Sequence, residues 1–448
     1  MLSSLYLYTF KSIAQIKSRR YRFSYHFQLK KNGFYCHLLH FNGNIHFDPT
    51  RQKFVNCRIL NSNYKKMEPS NIITYEATVT TGLESLARKE IREKIADCFD
   101  INHTNGRIIF RTKCGYDQIS KLCSIDNIFT VIYDEYHPHL IDMDLETLEQ
   151  QIFMSVIEKC DWKTGISVWK EAIKFTGDID AILDPDDKSA IPSFRASCNR
   201  SGEHKFTSQD TAHRFGGLIN DRFQWKVSLK QYDLEIVLNI KDNSLRISLC
   251  LTKQSLSKRH IVSFGLTTLR GTIAYNLIQI ANVQPGEIVC DPLCGSGVIP
   301  IECSKNWHEN FTIAADLFET AIDKTRTNFN ANGLFKRADL SKWDSTQLPL
   351  RDNTIDVFVT DLPFGKRMGT KMENRKLYPL LITEMIRCAR LGSARIVILT
   401  QDKLNANKTI YNQITQKYCK FERAYHVNVG GLNASVYLLK RNGQSFDK

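Results

Sequence analysis

The C-terminal half of the chain is predicted to be an α/β domain on a parallel, doubly wound sheet that closes with an antiparallel hairpin. Two smaller α+β units are expected before it. Three observations carry this expectation. From Phe264 onward, apolar strand-like runs ending near Asp291, Asp316, Asp361 and Gln401 alternate with helical stretches. Such alternation is the pattern of parallel strands with helices packed on both faces. The tail YHVNVGGLNASVYLLKR (425–441) breaks that rhythm, placing two strands around Gly430-Gly431. Upstream of residue 256, strands and helices follow one another in α+β order instead.

The first unit (67–144) opens with the alternating run TYEATVTT (74–81), which Gly82 interrupts. LESLARKEIREKI (83–95) then sets Leu83, Leu86, Ile91 and Ile95 on one helical face. NGRIIFRT (105–112) and IFTVIYDE (128–135) read as strands. The second unit (145–255) starts with a helical stretch, 145–160, followed by an acid-rich loop over 178–187. SFRASCNR (193–200) alternates like a strand, and SQDTAHRFGGLINDRF (208–223) has a helix start signal. LEIVLNI (234–240) and SLRISLCLT (244–252) are strands across a short turn. A helix over 268–281 leads into the last unit, 256–448.

The net charge of +14 invites a nucleic-acid reading. Its distribution weakens the argument, because residues 1–66 hold 12 Lys and Arg against one acid, Asp48. The remaining residues are nearly balanced, so affinity for an acidic polymer must come from a local surface. The first 66 residues are acid-poor, like an organelle transit segment. The first reading is a poorly ordered extension or an over-extended start, with Met67 as a second candidate start; targeting and an RNA-binding tail are the alternatives. The 13 cysteines are scattered without metal-ligand spacing, which fits reduced thiols and no metal site. No apolar run is long enough to span a bilayer as a helix.

EIVCDPLCGSGVIP (287–300) is a buried strand, a glycine-rich turn and a helix start. Gly295 and Gly297 allow positive φ and close approach of a ligand. Asp291 at the strand end can accept from a ligand ammonium. Asp316 ends the next strand, 19 residues after Gly297, where a carboxylate accepts from ribose hydroxyls. Asp344, in KWDSTQLP (342–349), is placed to meet an adenine amine. A dinucleotide fits less well, since Pro300 stands at the third glycine position and Asp291 would face a pyrophosphate. A sulfonium with an amino-acid tail, S-adenosylmethionine, suits this set.

IDVFVTDLPFG (355–365) empties a hydrophobic strand into Asp361, Leu362, Pro363 and Phe364 beside that cofactor. An exocyclic amine is a poor nucleophile, because its lone pair is delocalised into the ring. Asp361 can accept one N–H, and the backbone carbonyl near Pro363 can accept the other. Proline fixes φ there, and Phe364 can stack on the target base. Lys366 and Arg367 follow as candidate phosphate contacts or as a solvated surface pair. An isolated turn of this kind is more often structural; the cofactor half upstream reverses those odds.

Several segments, in order, resemble the THUMP-domain tRNA guanine-N2 methyltransferases. They are ATVTTGLE (77–84), FRASCNRSGEHKFTS (194–208), LTTLRGTIAY (266–275), DPLCGSGVIPIE (291–302), KWDSTQLPLR (342–351), TDLPFGKRMG (360–369), LYP (377–379), ILTQD (398–402) and VNVGGLNASVYLL (427–439). The resemblance runs from about Tyr75 to Arg441 and leaves residues 1–66 unmatched. It implies a ferredoxin-like module over 67–144, a THUMP RNA-binding domain over 145–255, and a Rossmann-like methyltransferase domain over 256–448. The last would hold a seven-stranded sheet with a terminal antiparallel hairpin.

The implied reaction is formation of N2-methylguanosine in the tRNA acceptor stem, at position 6, with S-adenosylmethionine as cofactor. A small zinc-binding activator subunit is the implied protein partner. Reduced cysteines fit a cytoplasmic location, with mitochondrial targeting by residues 1–66 as the alternative. Asp361, Pro363 and Phe364 match the catalytic motif, and Asp291, Gly295, Gly297, Asp316 and Asp344 the cofactor positions. Arg195, Arg200 and Lys205 lie in the THUMP-like segment as RNA contacts. The chain departs from the family in carrying Leu266 where a proline is usual and in having a short loop before the FRASCNR strand. From the residues alone, another amine (adenine N6 or a protein glutamine) and a non-catalytic RNA-binding role stay open.

Overall fold

The computed structural model describes residues 72–365 and 369–446, with four short strand segments between residues 29 and 55. The targeting, start-site and tail readings of residues 1–66 lie outside the described residues, apart from those segments, as does the reading of Lys366 and Arg367. Residues 1–70 and 71–448 form two separate units.

The N-terminal part begins with β1 (Ile73–Val79), α1 (Glu84–Lys94), β2 (Phe99–Thr104), β3 (Arg107–Thr112) and β4 (Ile125–Tyr136). A helical run over 145–159 and α2 (Trp162–Ile173) follow. Then come β5 (Ser193–Ser201), α3 (Ser208–Phe223), β6 (Lys226–Val227), β7 (Leu234–Lys241) and β8 (Ser244–Cys250). All eight strands join one sheet in the order β6-β5-β7-β8-β4-β1-β3-β2. The seam is β8 against β4, from Ser244↔Tyr136 to Cys250↔Phe129. The described residues 72–144 and 145–255 therefore share a sheet and one hydrophobic core.

Two elements lacked a readable signal. β2 buries only Ile101, places Asp100 at φ 51° and shifts register against β3 between Phe99 and Asn102. α2 is rich in β-branched and aromatic residues and carries Gly165, all weak helix formers. The glycine is a packing requirement, because a Cβ there would collide with Ile132 Cγ2 on β4. Asp161 caps this helix by accepting from the Thr164 amide at 3.1 Å.

The C-terminal part is the expected doubly wound sheet. It runs α4 (Gly271–Ala281), β9 (Ile288–Asp291), α5 (Val298–Asn306), β10 (Phe311–Asp316), α6 (Glu319–Asn332), β11 (Ala338–Lys342) and β12 (Val357–Asp361). It continues with α7 (Lys371–Cys388), β13 (Arg395–Thr400), α8 (Lys403–Ile410), β14 (Cys419–Val429) and β15 (Leu432–Arg441). The seven strands lie in the order β11-β10-β9-β12-β13-β15-β14. The first five are parallel, and β15 returns antiparallel to β13. From β9 the chain moves outward to β10 and β11, then crosses to β12 on the other side. Strand order reverses between β9 and β12, which opens a crevice at their carboxyl ends.

The two parts are joined by buried chemistry. Leu83, just before α1, belongs to the apolar core of the C-terminal part. Arg259 donates to Glu302 through Nε at 2.9 Å and Nη2 at 2.8 Å, and its Nη2 also reaches the Cys123 carbonyl at 2.7 Å. Glu302 is 1% exposed. Losing one partner of such a buried pair costs about 3–5 kcal/mol, because the other charge is stranded. On the same seam Asp126 of β4 accepts from Thr272 Oγ1 at 2.6 Å and Arg270 Nη1 at 3.2 Å. The N-terminal surface is thus held in a set relation to the crevice.

Candidate active site

The crevice is lined at its base by three carboxylates. Asp291 ends β9, Asp316 ends β10 and Asp361 ends β12. Asp291 is 1% exposed, and its Oδ1 accepts the Leu293 amide at 3.2 Å. Asp316 braces the glycine turn: Oδ2 accepts from the Gly295 amide and Oδ1 from the Phe318 amide, both at 3.0 Å. Asp361 is only partly buried as a residue, yet its Oδ1 is sealed from solvent without a hydrogen-bond donor.

Burial, assisted by the negative charge of Asp316, lifts Asp291 to about 7. Burial also raises Asp316, against the pull of the Phe318 and Gly295 amides. Asp361 is pushed well above the carboxylate range by burial and then by the charge of Asp291. Acids that oppose one another's ionisation form a site that a cation relieves.

The turn between β9 and α5 presents backbone to the crevice. Gly295 has φ 57° and Gly297 φ 81°, both in the left-handed region. A Cβ on Gly295 would meet nothing within 4 Å, so open space faces the turn there. A Cβ on Gly297 would lie 2.7 Å from Thr325 Cγ2 of α6. The turn is tied to α6 by Thr325 Oγ1 donating to the Gly295 carbonyl at 3.0 Å and Asn328 Nδ2 to the Ser296 carbonyl at 2.8 Å. Asn328 Oδ1 accepts the Val262 and Ser263 amides at 3.0 and 2.8 Å, so the segment before α4 is held over the same turn. Asp344 follows β11 and is exposed, its Oδ1 accepting from the Thr346 amide and hydroxyl at 2.8 and 2.7 Å.

The expectation of a carbonyl acceptor near Pro363 is narrowed by geometry. The Pro363 carbonyl is not open to a substrate amine, because Asn374 Nδ2 at 2.9 Å and Tyr378 Oη at 2.6 Å already donate to it. Two donors use both lone pairs of a carbonyl oxygen. Phe364 is partly buried and packs against the apolar cluster that includes Leu83 and Val427.

Arg195, Arg200 and Lys205 lie elsewhere, on and after β5 of the N-terminal sheet. Arg195 is engaged, with Nη2 2.8 Å from Glu235 on β7 and its guanidinium 4.2 Å over the Tyr232 ring. Arg200 Nη1 donates to the Gly202 carbonyl at 3.0 Å, and Lys205 is exposed. Three site features were not read from sequence as functional: Asn374, Tyr378 and Gln401. Gln401, next after β13, buries an Oε1 that has no donor. Its sequence signals were its place at a strand end and its position in the ILTQD segment.

Comparisons with known proteins find matches in both parts of the second unit. The RMKL-like methyltransferase domain family matches residues 259–433, and the THUMP domain family matches 179–249. A Bos taurus protein named tRNA (guanine(6)-N(2))-methyltransferase THUMP3 is 32% identical over 456 aligned positions, covering 84% of this chain and 89% of its own. A Homo sapiens protein named U6 snRNA (guanine-N(2))-methyltransferase THUMPD2 is 30% identical, covering 72% of this chain and 78% of its own. The crystal structure of TrmN from Thermus thermophilus superposes with a TM-score of 0.66 at 20% identity, over 82% of this chain and 99% of that one. That likeness concerns the fold.

Proposed function

The chain belongs to the THUMP-domain guanine-N2 methyltransferases, and on that premise we propose that it methylates the N2 amine of a guanine in the tRNA acceptor stem, at position 6. The observation that carries the reading is the convergence of Asp291, Asp316 and Asp361 on one crevice, with Asp361 Oδ1 buried and lacking a donor. An amine N–H is the donor this atom lacks. The tRNA reading is favoured over the U6 snRNA one because the relative named for tRNA matches a larger share of both chains.

S-adenosylmethionine supplies the electrophilic methyl group and the positive charge that the three acids call for. Asp291 holds its ammonium, Asp316 its ribose and Asp344 its adenine amine. The open space at Gly295 admits it against the backbone. Asp361 accepts one N–H of the guanine amine, drawing the nitrogen towards tetrahedral geometry and freeing its lone pair. With the Pro363 carbonyl occupied, the Leu362 carbonyl, one residue earlier, serves as acceptor for the second N–H. Phe364 stacks on the base. Catalysis here is positioning and electrostatics, not covalent chemistry by the protein. Arg195, Arg200 and Lys205 mark the RNA surface of the THUMP-like region, and a small zinc-binding activator subunit completes the enzyme. The cytoplasm is its working compartment; among the described residues no helix is long and apolar enough to cross a membrane.

The test is nucleoside analysis of tRNA from cells with and without the gene, paired with Asp361→Ala in the purified enzyme. The expected results are loss of N2-methylguanosine and a fall in methyl transfer of at least about 10²-fold with tRNA binding retained. Unchanged transfer by Asp361→Ala would remove the catalytic assignment.

A further inference from the structure

Beyond the strand-end acids, a buried polar chain runs behind the catalytic turn. α7 begins with a capping box, Thr370 Oγ1 accepting the Glu373 amide at 3.1 Å and Glu373 accepting the Thr370 amide at 2.6 Å. That start sets Asn374 and Tyr378, four residues apart, on one helical face. Both are buried, at 1% and 0% exposure. Both donate to the single carbonyl oxygen of Pro363.

The direction of every bond in the chain is determined. Burial keeps the Tyr378 phenol protonated, and its only proton goes to Pro363. The 2.7 Å contact between Tyr378 Oη and Thr400 Oγ1 must then have Thr400 as donor. Thr400 Oγ1 in turn accepts the Asp402 amide at 2.9 Å. The second amide proton of Asn374 goes to Asp402 Oδ2 at 3.1 Å, which Asn405 Nδ2 also reaches at 2.8 Å. Asn405 uses its other proton on the Lys371 carbonyl at 2.9 Å, returning the chain to the start of α7. Thr400 and Asp402 belong to the end of β13 and the cap of α8. The network therefore anchors the turn after β12 to three neighbouring elements.

Proline already restricts φ at residue 363. Pinning its carbonyl oxygen with two donors restricts ψ as well. The direction in which the chain leaves Pro363, and so where the Phe364 ring stands, is then set by side chains that never touch substrate. We propose that Tyr378, with Asn374, is a positioning residue for methyl transfer, orienting the Phe364 stacking platform through the Pro363 carbonyl under the control of Thr400. This rests on the guanine-methylating reading above and adds to it the residues that aim its base platform.

The experiment measures methyl transfer to tRNA by the full chain, together with the small zinc-binding subunit, for Tyr378→Phe in two backgrounds, native and Phe364→Leu. In the native background kcat is expected to fall on the order of tenfold, the size of one neutral hydrogen bond. The KM for tRNA and the Kd for S-adenosylmethionine should stay within about twofold. In the Phe364→Leu background the same substitution should change kcat little, because the ring it aims is gone. An equal loss in both backgrounds, or no loss in the native one, overturns the proposal. Thr400→Val, which leaves the tyrosine in place, should reproduce a smaller kcat loss, and Thr400→Ser should restore it. Those two decide the matter if Tyr378→Phe lowers Tm. A native enzyme that methylates no RNA guanine would instead overturn the functional reading itself, and this proposal with it.

Discussion

Gly295 and Gly297 separate the demands of folding from those of the cofactor, and alanine at each gives opposite results. At Gly295 the backbone sits at φ 57°, near the ideal left-handed value, and the added methyl would meet no protein atom within 4 Å. The folding cost is then the left-handed term alone, about 1–2 kcal/mol. In a chain this large that amounts to a drop in Tm of only a few degrees, roughly 2–4 °C per kcal/mol. The methyl nevertheless fills space through which the cofactor approaches the backbone, so affinity for S-adenosylmethionine should fall by about 10²-fold or more, the order of a 3 kcal/mol clash.

At Gly297 the methyl would sit 2.7 Å from Thr325 Cγ2, the side chain whose hydroxyl holds the Gly295 carbonyl. Strain adds to overpacking of about 1–3 kcal/mol, so Gly297→Ala should lose stability at least as much as affinity. Differential scanning calorimetry without cofactor and titration calorimetry with it measure the two quantities. Gly295→Ala binding S-adenosylmethionine as tightly as the native chain would refute the placement of the cofactor against this turn.

Two further outcomes follow from the same geometry. Burial raises Asp291 to about 7, so the cofactor-free fold binds this proton more tightly than the unfolded chain does. Its contribution to stability is present below the unfolded carboxylate value of about 4 and is lost as pH rises through about 7. A cationic ligand favours the ionised form, so cofactor affinity should rise with pH over the same window. Titration calorimetry in buffers of different ionisation enthalpy should show proton release at pH 6 and little at pH 8. A pH-independent affinity would contradict the role of Asp291. On the RNA surface, Lys205→Ala should weaken tRNA binding, flatten its salt dependence by about one contact and leave Tm unchanged. Arg195→Ala should lower Tm as well, since Arg195 pairs with Glu235 and stacks on Tyr232. If Lys205→Ala leaves the salt dependence untouched, that lysine is not an RNA contact.

The architecture of the C-terminal part and the residues at its strand ends are legible in the linear chain. Alternation between buried strands and helices has a period that local composition reports directly, and a strand that empties into DPLCGSG or TDLPFG places those residues at a carboxyl edge in any doubly wound sheet. Asp291, Asp316 and Asp361 could be assigned to one crevice on that ground alone. What surrounds them depends on contacts between residues distant in the chain. The continuous eight-stranded sheet depends on β8 pairing with β4 across more than a hundred residues, which no local pattern encodes. α2 follows a rule set by its neighbour, because Gly165 answers to Ile132 on another element. In the linear motif a carbonyl near Pro363 looked like a substrate acceptor, with the Pro363 oxygen itself among the candidates. Folding brought Tyr378 and Asn374 onto it from α7, and a carbonyl with both lone pairs in use holds a turn in place instead of receiving an amine.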